Sequence, residues 1–172
     1  METQRLLLRR FTTADADAVT RMAGDIRVSE MTSNIPYPYT RDMALQWLES
    51  VSGEGDSLAY AVVEKQTGHL MGCVSFASIH EGSATLGYWL GNEYWGRGYA
   101  TEAMAALMAF ARKELGIHRF EAVHLIENAR SRSVLLKLGL LEVGTRWVAG
   151  RGGKREVVVY ESPPDDEALQ QA

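Results

Sequence analysis

Two hydrophobic periods alternate along the chain, and the switches between them mark its elements. The apolar run inside "RLLLRRF" predicts a short first strand over Arg5–Phe11. In "TTADADAVTRMA" the spacing turns helical, with Thr13 as the expected N-cap and acids in the first turn, where the helix dipole favours them. "TSNIPYPYT" interleaves prolines with tyrosines and predicts a loop. Thr40 is expected to cap a helix with Met43, Ala44, Trp47, Leu48 and Val51 on one face, ended by Gly53 and Gly55.

From Leu58 the period falls to two. "SLAYAVVEK", "LMGCVSFASI" and "ATLGYWLG", separated by the turns "QTGH" and "HEGS", predict an antiparallel meander. The longest helix is expected over Tyr99–Leu115, with Ala100, Ala103, Met104, Leu107, Met108 and Ala111 as its apolar stripe and Gly116 at C′. "HRFEAVHLI" follows as a strand, "ENARSRSVLLKLG" as a shorter helix ended by Gly139, and "LLEVGTRWV" and "REVVVYES" as final strands. Helices and strands mixed around a meandering sheet place the chain in the α+β class. One domain is expected over residues 1–162, with 163–172 as a frayed tail.

Composition narrows the function. At 172 residues, with 46% hydrophobic and 23% charged residues, the chain has the make-up of a globular domain. A net charge of −4 gives no broad basic surface, which argues against nucleic acid as the main partner. The apolar run Ala103–Ala111 is too short to span a bilayer. "METQRLLLRRF" lacks the apolar core of a secretory signal, so neither a membrane partner nor export is expected, and the expected location is the cytoplasm. The single cysteine, Cys73, rules out an internal disulfide and a Cys-rich zinc site, and no metal is expected.

The stretch "YWGRGYATEAM" sets Gly-Arg-Gly at the mouth of the longest helix. Amides at a helix N-terminus lack intrahelical partners and carry the positive end of the dipole, so a phosphate placed there satisfies several donors. Gly96, Gly98 and Ala100 would let phosphate oxygens approach closely, and Arg97 adds a mobile charge. A tight glycine turn packing the helix on the sheet is the alternative. Neither the dinucleotide-binding GxGxxG spacing nor a Walker-A loop occurs here.

Together, "GYWLGNEYWGRGYATEA" and the later "NARSRSVLLKLGL" resemble the GNAT superfamily of acyl-CoA N-acyltransferases. Within it, the chain is similar to the ribosomal-protein-alanine N-acetyltransferase-like (RimJ/RimL-like) branch, through "RLLLRRFTTADA", the "YPYT" loop and both motifs. The superfamily's pyrophosphate motif, [QR]-x-x-G-x-[GA], falls on Trp95–Ala100, with Trp95 at the Gln/Arg position. The resemblance implies a mixed, mostly antiparallel twisted sheet of about seven strands with about four helices. Two splayed strands, Ala84–Leu90 and Arg119–Ile126, would form a slot for acetyl-CoA as cosubstrate. Trp95, Gly96, Arg97, Gly98, Tyr99, Ala100 and Thr101 would hold its pyrophosphate. Tyr88, Trp89 and Leu90 would line its pantetheine arm, paired as an added strand, with a bulge near Gly91.

The same resemblance assigns Asn128 to the pantetheine or acyl region and Ser131 to the CoA sulfur, since Leu135 stands where many relatives place a tyrosine. As a sequence feature, Asn128 reads equally as a helix N-cap. No base is singled out: Thr85 occupies a position where relatives of the branch carry Glu, and Glu102, His80, Glu81 or a water chain remain open. Arg97, Arg130, Arg132 and Lys137 are candidates for the CoA 3′-phosphate, and Pro36–Tyr39 for the wall of the acceptor site. The expected activity is direct acetyl transfer to a primary amine, a protein N-terminal α-amine foremost. Alternatives are a small amine, an amino acid or an antibiotic as acceptor, or a CoA-binding sensor without catalysis. Dimers occur in the branch, so a homodimer is one partner state the resemblance allows.

Overall fold

Alternating side chains send each central strand into two cores. On the second strand Leu58, Tyr60 and Val62 pack on one face of the sheet, and Ala59, Ala61 and Val63 on the other. The computed structural model describes residues 1–52 and 58–163. Its strands are β1 (Leu6–Arg9), β2 (Leu58–Glu64), β3 (Leu70–His80), β4 (Ser83–Leu90), β5 (Arg119–Leu125), β6 (Leu141–Gly150) and β7 (Gly153–Glu161). They form one seven-stranded sheet in the order β1-β2-β3-β4-β5-β7-β6.

Five of the six neighbouring pairs are antiparallel; β4 and β5 are parallel. That parallel pair is short. Ser83–Leu86 align with Arg119–Ala122, and the two strands then part, although β4 runs on to Leu90 and β5 to Leu125. The expected splay is therefore present. The expected bulge is elsewhere: register shifts fall at Val62/Val63, Phe76/Ser78 and Glu142/Gly144, whereas Gly91 donates regularly to the Met71 carbonyl at 2.9 Å.

One face of the sheet is covered by α1 (Ala16–Ala23) and α3 (Arg41–Ser52), which bury Val19, Met22, Ala44 and Leu48. The other face carries α4 (Tyr99–Glu114), whose Ala103, Met104, Leu107 and Ala111 are buried. Beside α4 sits α5 (Ala129–Lys137), anchored by Leu135. The α4 stripe follows the sequence pattern closely, with Leu115 as the C-cap and Gly116 at φ +63°. Gly139, at φ +79°, likewise follows α5.

Two local details differ from the sequence reading. Thr12, not Thr13, caps the first helical segment, because its N–H reaches the Asp15 carboxylate at 2.9 Å. A short helix, α2 (Ile26–Glu30), is added, started by Asp25, which accepts from the Arg27 N–H; five residues are too few to show a period. Thr40 does cap α3, through the Met43 N–H at 3.3 Å. Gly53 and Gly55, and the tail from 164 onward, lie outside the described residues. Among the described residues no helix is long and apolar enough to cross a membrane.

Candidate active site

Gly98 caps α4 in the left-handed region at φ +78°, and Gly96 precedes it at φ +73°. A Cβ on Gly96 would meet no atom within 4 Å, and one on Gly98 only an arginine nitrogen, Arg5 Nη2, at 3.5 Å. The glycines are thus not there to relieve crowding. They permit a backbone turn that L side chains rarely adopt and leave open space over the helix N-terminus, which carries no side-chain cap. A cavity of about 260 Å³ lies against this loop.

The predicted site residues converge there. Tyr88, Trp89, Leu90, Trp95, Gly96, Gly98, Tyr99, Ala100, Thr101, Asn128 and Ser131 all line the cavity; Arg97 does not. The Arg97 side chain is exposed, and its carbonyl is held from behind by Arg5 Nη1 at 3.0 Å. Tyr99 sends its hydroxyl away to Glu64 at 2.8 Å, with the Arg5 guanidinium 4.3 Å above its ring, so its backbone is what it offers the loop. Trp95 donates from Nε1 to the Leu90 carbonyl at 2.9 Å and carries Arg130 over its ring at 5.0 Å. The indole therefore ties the loop to the end of β4.

Ser131 is buried in the first turn of α5 and accepts from the Tyr88 hydroxyl at 2.8 Å. Burial pushes that hydroxyl up to about 12, against the opposing effect of the Ser131 bond, so Tyr88 stays protonated and a donor. Because its Oγ already accepts from Tyr88, Ser131 keeps its own proton free for a group in the cleft. Asn128 is the N-cap of α5: its Oδ1 accepts from the Ser131 N–H at 3.1 Å, while Nδ2 donates to the Met31 carbonyl at 3.1 Å. That one amide fixes Ser131 and also the start of the 31–40 loop.

A second, larger cavity of about 760 Å³ passes between the parted strands and touches both faces of the sheet. Leu86, Ala122 and Leu135 wall it on the α5 side; Trp47, Ala59, Cys73 and Trp89 wall it on the α3 side. Ile35, Pro36 and Tyr39 close its outer part, so the "YPYT" region does border this space. The loop is braced by Ser29, which donates to the Ile35 carbonyl at 2.8 Å, and by Arg151, whose N–H meets the Ser33 carbonyl at 2.9 Å.

An open seven-stranded sheet, parted between β4 and β5 and facing a glycine-rich helix start, is thus the frame of the site. Residues 5–141 match the acetyltransferase (GNAT) domain family. The chain belongs to the GNAT acetyltransferases. It is 31% identical to p20, an uncharacterised N-acetyltransferase of Bacillus licheniformis, over 147 residues, 83% of this chain and 82% of that one. It is 25% identical to the ribosomal protein uS5-alanine N-acetyltransferase of Escherichia coli over 111 residues, 63% of this chain and 57% of that one. A solved ribosomal L7/L12 α-N-protein acetyltransferase, RimL, in complex with coenzyme A superposes with a TM-score of 0.84. That match covers 95% of this chain and 96% of the other at 19% identity. The likeness to RimJ/RimL-like proteins read from the motifs is thus supported by relatives and by the GNAT fold.

Several side chains of this acetyltransferase domain are withdrawn from chemistry. Glu102 is locked to the N-terminal segment, accepting from Thr3 Oγ1 at 2.6 Å, the Arg5 N–H at 2.9 Å and Arg5 Nε at 2.7 Å. Burial alone would raise its carboxyl, but these bonds and the Arg5 charge hold it below the ordinary range. His80 and Glu81 are exposed at the β3–β4 turn, at the paired end of β4. Cys73 is buried and its thiol pushed up to about 12, so it is no nucleophile at neutral pH. Of the cations, Arg130 and Lys137 line the smaller cavity, while Arg132 lies 3.7 Å from Glu142 and outside it.

Sequence reasoning misses three participants. Arg5 holds the glycine loop from behind, the Tyr88–Ser131 bond joins residues far apart in the chain, and His124 borders the larger cavity. Nδ1 of His124 donates to the Leu125 carbonyl at 2.7 Å, and Nε2 faces the Tyr160 hydroxyl at 3.3 Å. The Arg5 and Tyr88–Ser131 links are tertiary contacts without a local pattern; only the histidine between the apolar residues Val123 and Leu125 of "FEAVHLI" offers a signal.

Proposed function

We propose that the protein is an acetyl-CoA-dependent N-acetyltransferase that moves acetyl directly onto a primary amine, with a protein N-terminal α-amine as acceptor. The observation that carries this reading is the convergence, on one cavity, of the open Gly96–Gly98 helix start, the end of β4 whose edge has parted from β5, and Ser131. The family match and the E. coli relative that acetylates a ribosomal-protein alanine support the acceptor class. The coenzyme A complex of a fold neighbour supports the donor. The reading takes residues 1–162 as one acetyltransferase domain.

Acetyl-CoA supplies an activated acetyl group: the amine lone pair attacks the thioester carbon, the C–S bond breaks, and the thiolate takes a proton. On the protein side, the amides from Gly96 to Thr101 hold the pyrophosphate, with Arg130 and Lys137 nearest for further phosphate charge. The free edge of β4 from Gly87 to Leu90 takes the pantetheine arm as an added strand. Ser131 donates a hydrogen bond to the departing thiolate while Tyr88 donates to Ser131 Oγ; the amine gives its proton to water and the thiolate takes one up from water, so Ser131 and Tyr88 both keep their own. Asn128 orients Ser131. An N-terminal amine has a pKa of about 7.7–8.0, so water suffices to take its proton.

The test is acetyl-CoA turnover with peptides bearing free or blocked N-termini, read by thiol release and by the mass of the peptide product. The expected result is one acetyl group added to free N-termini and none to blocked ones. Tight acetyl-CoA binding without turnover on any amine would replace this reading with a CoA-binding sensor.

A further inference from the structure

The larger cavity has an unusual wall. Among the described residues that line it there is no Asp, Glu, Lys or Arg. Its ionisable groups are Tyr39, Cys73, Tyr88 and His124. Burial pushes Tyr39, Cys73 and Tyr88 up, so all three are neutral at neutral pH. Both ring nitrogens of His124 face protein partners. The α3 side is aromatic: Trp47 meets Trp89 edge-on at 6.2 Å and Phe11 at 4.9 Å.

An ammonium or carboxylate brought into this space would lose hydration and meet no counter-charge from the described lining residues, only uncharged polar groups such as Thr32, Asn34, Gln46 and Ser75, which do not replace a full hydration shell. An apolar group would gain from the same wall. We propose that the acceptor is the α-amino group of a peptide whose first residue carries a large apolar side chain. This rests on the acetyl-transfer reading above and names the substrate that the site takes.

Three properties select that class. The amine has to enter uncharged. At pH 7.5 an α-amine is about one-quarter neutral, whereas an alkylamine of pKa about 10.4 is about one part in a thousand neutral. The body has to be uncharged, which excludes polyamines and aminoglycosides, whose further ammonium groups would lie unpaired. A free amino acid is also disfavoured, because its carboxylate finds no cation among the described lining residues, whereas in a peptide that carbon is a neutral amide. Part of this cavity, along Gly87–Trp89 and Ser131, is the space given above to the pantetheine arm; the remainder, walled by Trp47, Ile35, Met43 and Val51, favours a first side chain such as Phe or Leu over Ala or Ser.

The experiment compares kcat/KM at pH 7.5 for otherwise identical peptides beginning with Phe, Leu, Ser, Asp and Arg, together with free phenylalanine and spermidine. Phe- and Leu-first peptides are expected to exceed the Ser-first peptide at least tenfold. They are expected to exceed the Asp-first peptide, free phenylalanine and spermidine at least 100-fold. A Ser-first peptide within threefold of the Phe-first one, or spermidine or the Asp-first peptide matching it, overturns the inference and leaves acetyl transfer intact. Turnover of none of them overturns acetyl transfer and this inference together. Met43→Glu supplies a second readout, because Met43 lines the cavity yet is 38% exposed and takes a carboxylate without burying it. The variant is expected to raise the Arg-first peptide relative to the Phe-first one at least fivefold; an unchanged ratio overturns the assignment of this wall to the acceptor.

Discussion

Arg5 grips the carbonyl of Arg97 from behind, its Nη1 3.0 Å from that oxygen, while its Nε is bound to Glu102 at 2.7 Å. One guanidinium in the first strand region thus fixes both the glycine loop and the first turn of the helix it opens. With the Arg97 carbonyl held on that side, the loop amides are free to face the cavity. Arg5→Gln is expected to raise KM for acetyl-CoA about three- to tenfold with kcat nearly unchanged, since the loop loses alignment but no reacting group. Steady-state kinetics with varied acetyl-CoA checks this; a fall in kcat alone would contradict it.

The Tyr88–Ser131 bond makes a second, graded prediction. Ser131→Ala is expected to lower kcat about 10- to 100-fold while changing KM for acetyl-CoA less than threefold. Tyr88→Phe, which leaves Ser131 in place but removes its donor, is expected to show a smaller fall in kcat. With its hydroxyl pushed up to about 12, Tyr88 produces no alkaline loss of kcat below pH 10.

Gly98 can be separated from an ordinary turn glycine. Gly98 and Gly68 have nearly the same φ, +78° and +72°, and neither has crowded space above it. Alanine at either position is expected to destabilise the fold by about 1–2 kcal/mol through backbone strain. Only Gly98→Ala is expected also to weaken CoA binding, about tenfold or more. Calorimetric titration with CoA against both variants checks it.

Acid stability is expected to depend on Asp15. Its carboxylate is buried and takes two bonds from Arg9, at 2.7 and 2.8 Å. Burial alone would raise this carboxyl, but the Arg9 and Thr12 hydrogen bonds and the Arg9 charge hold it below its usual range. A carboxyl depressed in the native state stabilises the fold above its unfolded value of about 3.9, and that contribution is lost as pH falls through the native value. Asp15→Asn is expected to cost about 1–3 kcal/mol at pH 7. It is also expected to flatten the further loss of stability below pH 4, as urea unfolding at pH 7 and pH 3 would show.

Coenzyme A itself is expected to stabilise the protein. At 100 times its Kd, a ligand that binds only the native state adds about 2.7 kcal/mol. For a domain of this size that corresponds to a rise in Tm of about 5–10 °C. Dephospho-CoA is expected to give a smaller shift if Arg130 or Lys137 meets the 3′-phosphate. Differential scanning fluorimetry resolves the two.

What is legible in the sequence follows from how locally each feature is encoded. The glycine loop and α4 are legible because the turn residues and the apolar stripe lie in one continuous stretch. Asn128 and Ser131 are legible as a cap and a first-turn residue for the same reason. The parting of β4 from β5 came from family likeness, since no period announces where a parallel pair ends. Helix α2 is too short for a pattern. The Arg5–Glu102 and Tyr88–Ser131 contacts join residues 97 and 43 positions apart, so only the folded chain brings them together. Glu102 illustrates the difference: within its motif it reads as a candidate base, and in the fold it is the anchor of the N-terminal segment.

The larger cavity crosses the sheet from one covering layer to the other, and that has a kinetic meaning. On the proposed reading, donor and acceptor would have separate doors. Neither would need to leave before the other arrives, and the buried thiol in this wall, Cys73, is pushed up to about 12, which leaves it unfit to carry the acetyl group in the interval. The proposed transfer is therefore expected to be a meeting of both substrates in a ternary complex, in which a dead-end analogue on one side leaves the opposite entrance open.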